Sequence, residues 1–299
     1  NPRQTKIRNA LSLFVKVCDW VGMSERRPFD KNRPFSPRPH GKGGKPRFDR
    51  GHRDDRREPA SRPGLHLLYG FHSVREALAN PNRTFLRLLA TENALARLTE
   101  GGLDLPIQPE IVRPDVIGRM LTPDAVHQGV LLEAEPPPAP ALDDLPEGSL
   151  LVALDQITDP HNVGAILRSA CAFGVAGIIT TMRHSPEVTG VLAKAASGGL
   201  EHVPIIPVQN LVRTLNELGE RGVLRVGLDS EAPADMAHTD LRLPMVLVLG
   251  AEGKGLRQST RAACDVLARI DLTGAIRSLN VSNAAAISLY AARQRLAAH

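Results

Sequence analysis

The chain is 299 residues long, 42% hydrophobic and only 3% aromatic, with a formal charge of +5. That length holds one large or two modest domains. So few aromatics make stacking platforms a poor basis for nucleic-acid binding, and no apolar run reaches the length of a membrane span. Cys18, Cys171 and Cys264 lie far apart and the histidines do not cluster, so no metal is expected and a reducing cytoplasm fits.

The charge is unevenly spread. Residues 1–63 carry 17 Lys/Arg against 7 Asp/Glu, and the remainder 20 against 25. Residues 7–21 have the pattern of a short amphipathic helix, but Lys16 and Asp19 interrupt it and no small-residue cleavage site follows, which argues against a signal peptide. Met23, just before Ser24-Glu25-Arg26-Arg27, is the expected native start, with residues 1–22 upstream of it. Residues 24–63 are rich in Arg, Lys, Pro, Gly and His and nearly lack aliphatics. They cannot bury enough apolar surface to offset ordering entropy, so disorder is expected over the basic extension 1–63. Such a segment suits a non-specific arm for a phosphate backbone, or a solvated tail with no dedicated partner.

Residues 64–135 alternate short elements. Leu67-Leu68-Tyr69-Gly70 leads into a predicted helix, Ser73 to Ala79, with Ser73 as candidate N-cap. Phe85 to Ala90 reads as a strand, Ala94 to Leu98 as helix, Glu110 to Val112 as extended, Asp115 to Met120 as helix and Gly129 to Leu132 as a closing strand. This is the pattern of a small α/β domain. The proline-rich stretch after it, within 136–148, reads as a stiff linker.

From 149 onward strands and helices alternate again. Strands are predicted at Leu150 to Leu154, Gly177 to Thr181, Val203 to Pro207, Leu224 to Leu228, Met245 to Leu249 and Val266 to Ile270. Helices are predicted at Val163 to Phe173, with Gly174 as its stop, at Val188 to Ala196, at Leu211 to Leu218 with Asn210 as cap, and at the C-terminus, where Ser282 or Asn283 is the candidate cap. The expectation is an α/β domain with a mainly parallel sheet, residues 149–299.

Three runs stand out. Val246 to Leu249 is a continuous apolar strand ending in Gly250-Ala251-Glu252-Gly253-Lys254-Gly255, with three glycines in six residues. Such a loop turns sharply and lets a ligand approach the backbone. It lacks both the Gly-Lys-Ser/Thr ending of a P-loop and the G-x-G-x-x-G spacing, and Glu252 would repel phosphate. A hydroxyl, an amine or a cation suits it better, though a mere tight connection also fits. Asp155 to Ser169 turns at Pro160 and Asn162 into a helix. Asn162 and Arg168 are six apart, which this reading places on one face of the helix. Taken singly, Asn162 fits a mere cap and Arg168 a mere surface cation. Ser278-Leu279-Asn280-Val281-Ser282 is a polar loop feeding an alanine-rich helix.

Taken together and in this order, Asn162-x-Gly164-x-x-x-Arg168, Gly250-x-Glu252-Gly253-x-Gly255 and Ser278-Leu279-Asn280-Val281-Ser282 closely resemble the three motifs of the SpoU/TrmH family, the SPOUT-class RNA 2′-O-ribose methyltransferases. The resemblance spans about residues 66–296. Tyr69-Gly70-x-His72-x-Val74 is similar to the family's substrate-binding domain, itself like a small ribosomal-protein fold. His127-Gln128-Gly129-Val130 resembles the branch that methylates a guanosine ribose of 23S rRNA. The resemblance implies a trefoil-knotted parallel-sheet domain behind a small α/β substrate-binding domain, and a homodimer with the site near the subunit interface. The implied cofactor is S-adenosylmethionine, contacted by Gly250, Ile270 and Leu279.

It also implies roles. Arg168 is the candidate activator of the ribose 2′-hydroxyl. A guanidinium hardly deprotonates (pKa above about 12), so orienting the hydroxyl or a phosphate and stabilising the developing alkoxide is its chief expected contribution, with proton removal by Arg168 left open. Asn162, Glu252, Ser278 and Asn280 are expected to fix this geometry by hydrogen bonds. The rivals are a tRNA 2′-O-methyltransferase on the same architecture, a non-catalytic RNA-binding protein, and a nucleotide-binding enzyme using the 250–255 loop for phosphate.

Overall fold

The computed structural model describes residues 64–100, 102–183 and 188–297. The helix expected at 7–21, the start at Met23 and the disorder of 1–63 lie outside these residues.

The front part is a four-stranded sheet. Its elements are β1 (His66–Tyr69), α1 (Phe71–Ala79), β2 (Phe85–Ala90), α2 (Glu92–Thr99), β3 (Pro109–Ile111), α3 (Pro114–Gly118) and β4 (Val130–Ala134). The strand order is β1-β4-β2-β3, with β4 antiparallel to both neighbours and β3 parallel to β2. Alternation along the strands sorts the side chains by face. Leu88, Val130 and Leu132 pack with α1 and α2, while Leu89 and Leu131 meet Ile117 and Leu121 on the other side.

Two helix starts differ from expectation. The first helix begins at Phe71, so Ser73 is buried within its first turn rather than capping it. Gly70 stands at the cap position, and the orphan Phe71 N–H donates to Gln128 Oε1 from across the sheet at 2.8 Å. The second helix begins at Glu92, where Thr91 accepts from Ala94 N. A 3-10 turn, Leu142–Asp144, lies in the connection to the second sheet.

That sheet has seven strands, all parallel: β5 (Leu150–Asp155), β6 (Gly177–Thr181), β7 (Ile205–Val208), β8 (Leu224–Leu228), β9 (Ala234–Asp235), β10 (Met245–Gly250) and β11 (Val266–Arg269). The order is β7-β6-β5-β10-β8-β11-β9. Helices α4 (Pro160–Ala172), α5 (Gly190–Ala196), α6 (Leu211–Glu220), α7 (Gln258–Ala262) and α8 (Val281–Ala297) complete it. The continuous apolar runs have a simple cause. Val152, Leu154, Leu247 and Leu249 face the core formed with α4 and α8, while Leu151, Ala153, Val246 and Val248 face the one formed with α6. Both faces are covered, so every position must be apolar.

The helix expected from Val188 starts at Gly190 with Thr189 as its cap, and the strand expected at Val203 to Pro207 is Ile205–Val208. Asn210 caps α6 as expected, its side chain accepting from Arg213 N. One core runs without a break from Leu68 and Val74 of the front sheet, through Leu192 and Ala193 of α5, to Val152 and Leu247.

Candidate active site

In a doubly wound sheet the carboxyl ends of the strands border the ligand crevice where the strand order diverges. Here β5 continues to β6 on one side and lies beside β10 on the other. The segments singled out in the sequence leave this edge.

Asp159, not Asn162, caps α4: its Oδ1 accepts from His161 N and Asn162 N at 2.7 and 3.1 Å. Asn162 therefore sits inside the first turn with its amide free for other work. Gly164, two residues on, lets α4 press against α5; a Cβ there would lie 2.5 Å from Leu192 O. The loop after β10 folds back on itself, Gly255 N donating to Ala251 O at 2.8 Å. Only glycine fits at 250, because a Cβ would collide with the backbone of Gly255 and Leu256. Asn280, not Ser282 or Asn283, serves the start of α8, its Oδ1 accepting from Ser282 N at 2.8 Å.

Asn162, Glu252 and Asn280 meet. Asn280 Nδ2 donates to Glu252 Oε1 at 2.8 Å and to Asn162 Oδ1 at 2.9 Å, and Asn162 Nδ2 donates to Glu252 Oε1 at 3.2 Å. Val281 N adds a donor to the same oxygen at 3.3 Å. One carboxylate oxygen thus joins three segments that lie far apart in sequence.

Beside this cluster is a cavity of about 570 Å³, lined by the strand ends and loops of β8, β10 and β11 and by Arg277, Ser278, Leu279, Val281 and Ala284. That falls in the range of roughly 300–1,000 Å³ found for small-ligand sites. Gly250, Glu252, Ile270, Ser278 and Leu279 all line it. Asn162, Asn280 and Arg168 do not. Arg168 is exposed on α4 and makes no hydrogen bond or ion pair with the described residues. Six residues at 100° each place it about 120° around the helix from Asn162 and about 9 Å further along. The expectation of a shared face is therefore wrong, and within one chain Arg168 is not brought to the cluster.

The sequence reading missed Asp229, Ser230 and Glu231, which follow β8 and line the same cavity. Their signal was positional: they follow a parallel strand that pairs with β10. The lining holds four carboxylates, Asp229, Glu231, Glu252 and Asp271, against Arg269 and Arg277. Arg269 is already committed, to Asp271 at 2.7 Å and to the carbonyls of Ala232 and Pro233. Asp229 is likewise committed, to Arg261 at 2.7 Å, so among the described residues Glu231 and Glu252 are the lining carboxylates without an arginine partner, and they disfavour a phosphate. Leu228, Leu249, Ile270, Leu272 and Leu279 supply apolar surface for a heterocycle. Nearby, burial pushes the Cys264 thiol up to about 12, so it is no nucleophile. Among the described residues no group of three or more His, Cys, Asp or Glu could hold a metal.

Fold and cavity together define an α/β domain with a small-molecule-sized cavity that is partly apolar and carries Glu231 and Glu252 without arginine partners. Comparison with known proteins narrows this. Residues 149–290 match the SpoU rRNA Methylase family, and residues 67–140 match the RNA 2′-O ribose methyltransferase substrate binding family. The 23S rRNA (guanosine-2′-O-)-methyltransferase RlmB of Ralstonia nicotianae is 39% identical over 244 residues, 77% of this chain and 96% of the relative. Its namesake in Vibrio vulnificus is 37% identical over 249 residues, covering 77% and 98%. The structure of the SpoU methyltransferase AviRb from Streptomyces viridochromogenes, in complex with AdoMet, superposes with a TM-score of 0.65 at 28% identity, covering 78% of this chain and 91% of that one. The chain belongs to the SpoU rRNA methylase family.

Proposed function

We propose that this protein methylates the 2′-hydroxyl of a guanosine ribose in 23S rRNA, using S-adenosylmethionine. The observation that carries the reading is the convergence of Asn162, Glu252 and Asn280 beside an acidic, half-apolar cavity. The relatives named for this reaction are its second support.

The residues present fit the cofactor. The glycine-bearing loop exposes backbone, the leucines and Ile270 flank a flat ring, and Glu231 and Glu252, free of arginine partners, complement a positive sulfur. When bound, S-adenosylmethionine supplies an electrophilic methyl group. The chain's residues do the rest. Gly250, Ile270 and Leu279 hold the cofactor. Asn162, Glu252, Ser278 and Asn280 fix the ribose or the loops around it. Arg168 orients the hydroxyl or its phosphate and stabilises the alkoxide as the proton leaves.

A homodimer belongs to this reading. Its support is the apolar face that α8 leaves exposed at Ile287 and Tyr290. Arg168, unengaged within one chain, is then free to meet RNA at the subunit interface. A knotted rear domain 149–299, a front unit 64–135 that grips RNA, a linker 136–148, a basic arm and a cytoplasmic location complete the proposal. Among the described residues no helix is long and apolar enough to cross a membrane.

The test is methyl transfer from labelled S-adenosylmethionine to 23S rRNA and, separately, to tRNA, with the label mapped. Label on one 23S guanosine ribose is expected. Label on tRNA alone would replace the substrate, and failure to bind the cofactor would end the reading.

A further inference from the structure

Asp155 ends β5 and is 1% exposed. A buried carboxylate is costly unless fully paired, and an apolar residue in its place is often no less stable. Both of its oxygens are spent on one residue. Oδ1 accepts from Arg257 Nε at 2.7 Å and Oδ2 from Arg257 N at 3.1 Å. Arg257 closes the glycine loop that begins at Gly250, the residue paired with Asp155 in the sheet. Asp155 also precedes Gln156, which takes a left-handed φ of 63° and opens the segment leading to Asn162. One carboxylate therefore stands at the root of two loops whose tips, Asn162 and Glu252, bond to each other.

We infer that Asp155 and Arg257 are positioning residues that hold Glu252 in place through the loop between them. The loop needs such an anchor. Its glycines at 253 and 255 adopt left-handed φ values of 74° and 63°, and residues of this kind lose much conformational freedom on ordering. The Ala251–Gly255 bridge keeps the loop's own shape. It does not fix the loop to the sheet. Among the described residues three tethers do that: Glu252 to Asn162, Asn280 and Val281 at one end; Leu256, buried in the core with Val246 and Val248; and Arg257 to Asp155 at the other. Releasing the Arg257 tether leaves Leu256 as the loop's remaining hold at that end, and the added freedom reaches Glu252. The consequence for cofactor binding and turnover rests on the proposed function; the mechanical coupling does not.

The experiment reads amide hydrogen exchange in the ligand-free full chain, comparing wild type with Asp155→Asn and Arg257→Ala. The Val281 N–H, whose acceptor is Glu252 Oε1, is 24 residues beyond Arg257 in sequence. It is expected to exchange about tenfold faster in both variants, while Leu289, deep in α8, stays unchanged as the control for folding. Arg257→Lys, which restores a donor, is expected to recover part of the protection. In parallel, calorimetry should show the S-adenosylmethionine dissociation constant rising about tenfold. In a Glu252→Ala background, which removes the acceptor altogether, the further loss from Asp155→Asn should fall below about twofold, because coupled residues are not additive. Unchanged Val281 exchange in Arg257→Ala would overturn the inference, as would equal factors in the two backgrounds. Failure of wild type to bind the cofactor would instead sink the proposed function and leave the exchange result standing.

Discussion

Arg83, in the connection just before β2, and Glu201 in the 3-10 turn Gly199–Glu201 form a two-pronged ion pair, Nε to Oε2 at 2.9 Å and Nη2 to Oε1 at 2.8 Å, with side chains 0% and 3% exposed. Asn80 Nδ2 donates to the same Glu201, and Arg83 Nη1 reaches the Glu135 carbonyl and His66 Nδ1. Removing one partner strands the other. Arg83→Ala is expected to lower unfolding stability by about 3–5 kcal/mol, whereas an apolar Arg83→Met/Glu201→Leu pair should cost much less. Urea unfolding of the three proteins checks this.

His66 gives that cluster a pH signature. A guanidinium only donates, so His66 Nδ1 accepts from Arg83 at 3.2 Å and the ring is held neutral. Burial, with Arg83 as a second cause, lowers its pKa from 6.5 to about 4. The unfolded chain takes up the proton first. Stability is therefore full above pH 6.5 and declines as the pH falls to about 4, by on the order of 3 kcal/mol from this group. Below that it is flat. Denaturation midpoints at pH 7 and pH 5 should differ in wild type, and the difference should shrink in His66→Gln.

Gly250→Ala places a Cβ against the backbone of Gly255 and Leu256, atoms that cannot step aside without moving the loop. Binding of S-adenosylmethionine should weaken by roughly 5- to 100-fold in calorimetry, since overpacking against backbone displaces the cavity wall (about 1–3 kcal/mol). Unaltered binding would show that the loop does not contact the cofactor.

Arg168→Ala should leave cofactor affinity unchanged, because the side chain lies outside the cavity lining. Turnover should fall by about 10²–10³-fold if it stabilises the developing charge. Single-turnover rates at saturating cofactor separate the two effects.

Deleting residues 1–63 removes 17 Lys/Arg and 7 Asp/Glu. Affinity for RNA should drop and the slope of log K against log salt should flatten, since fewer counterions are released. Equal slopes for full-length and shortened protein would rule out the arm.

The strands were readable because their residues answer to one demand. Phe85–Ala90, Gly177–Thr181 and Leu224–Leu228 have the bounds expected from their apolar runs. Helix starts were less readable. Ser73, Asn162 and Ser282 are all plausible caps by type, yet the structure uses Gly70 with Gln128, then Asp159, then Asn280. Cap choice depends on tertiary partners: Asn162 turns its amide to Glu252, whereas Asn280 serves both, its Nδ2 donating to Glu252 and its Oδ1 accepting from Ser282 N. The meeting of those three residues could be expected only from the resemblance. No spacing rule links positions 118 residues apart. The Asp155–Arg257 clamp, 102 residues apart, left no local signal at all.

The unbroken core from Leu68 through Leu192 to Leu247 has one more consequence. A front sheet welded in this way cannot swing toward its substrate. If it grips RNA as proposed, it does so at a fixed span from the cavity, and the target nucleotide is chosen by reach, as with a caliper, leaving the bases between unread. Inserting a single base pair between the gripped helix and the target guanosine should then abolish methylation, while changing that pair's identity should not.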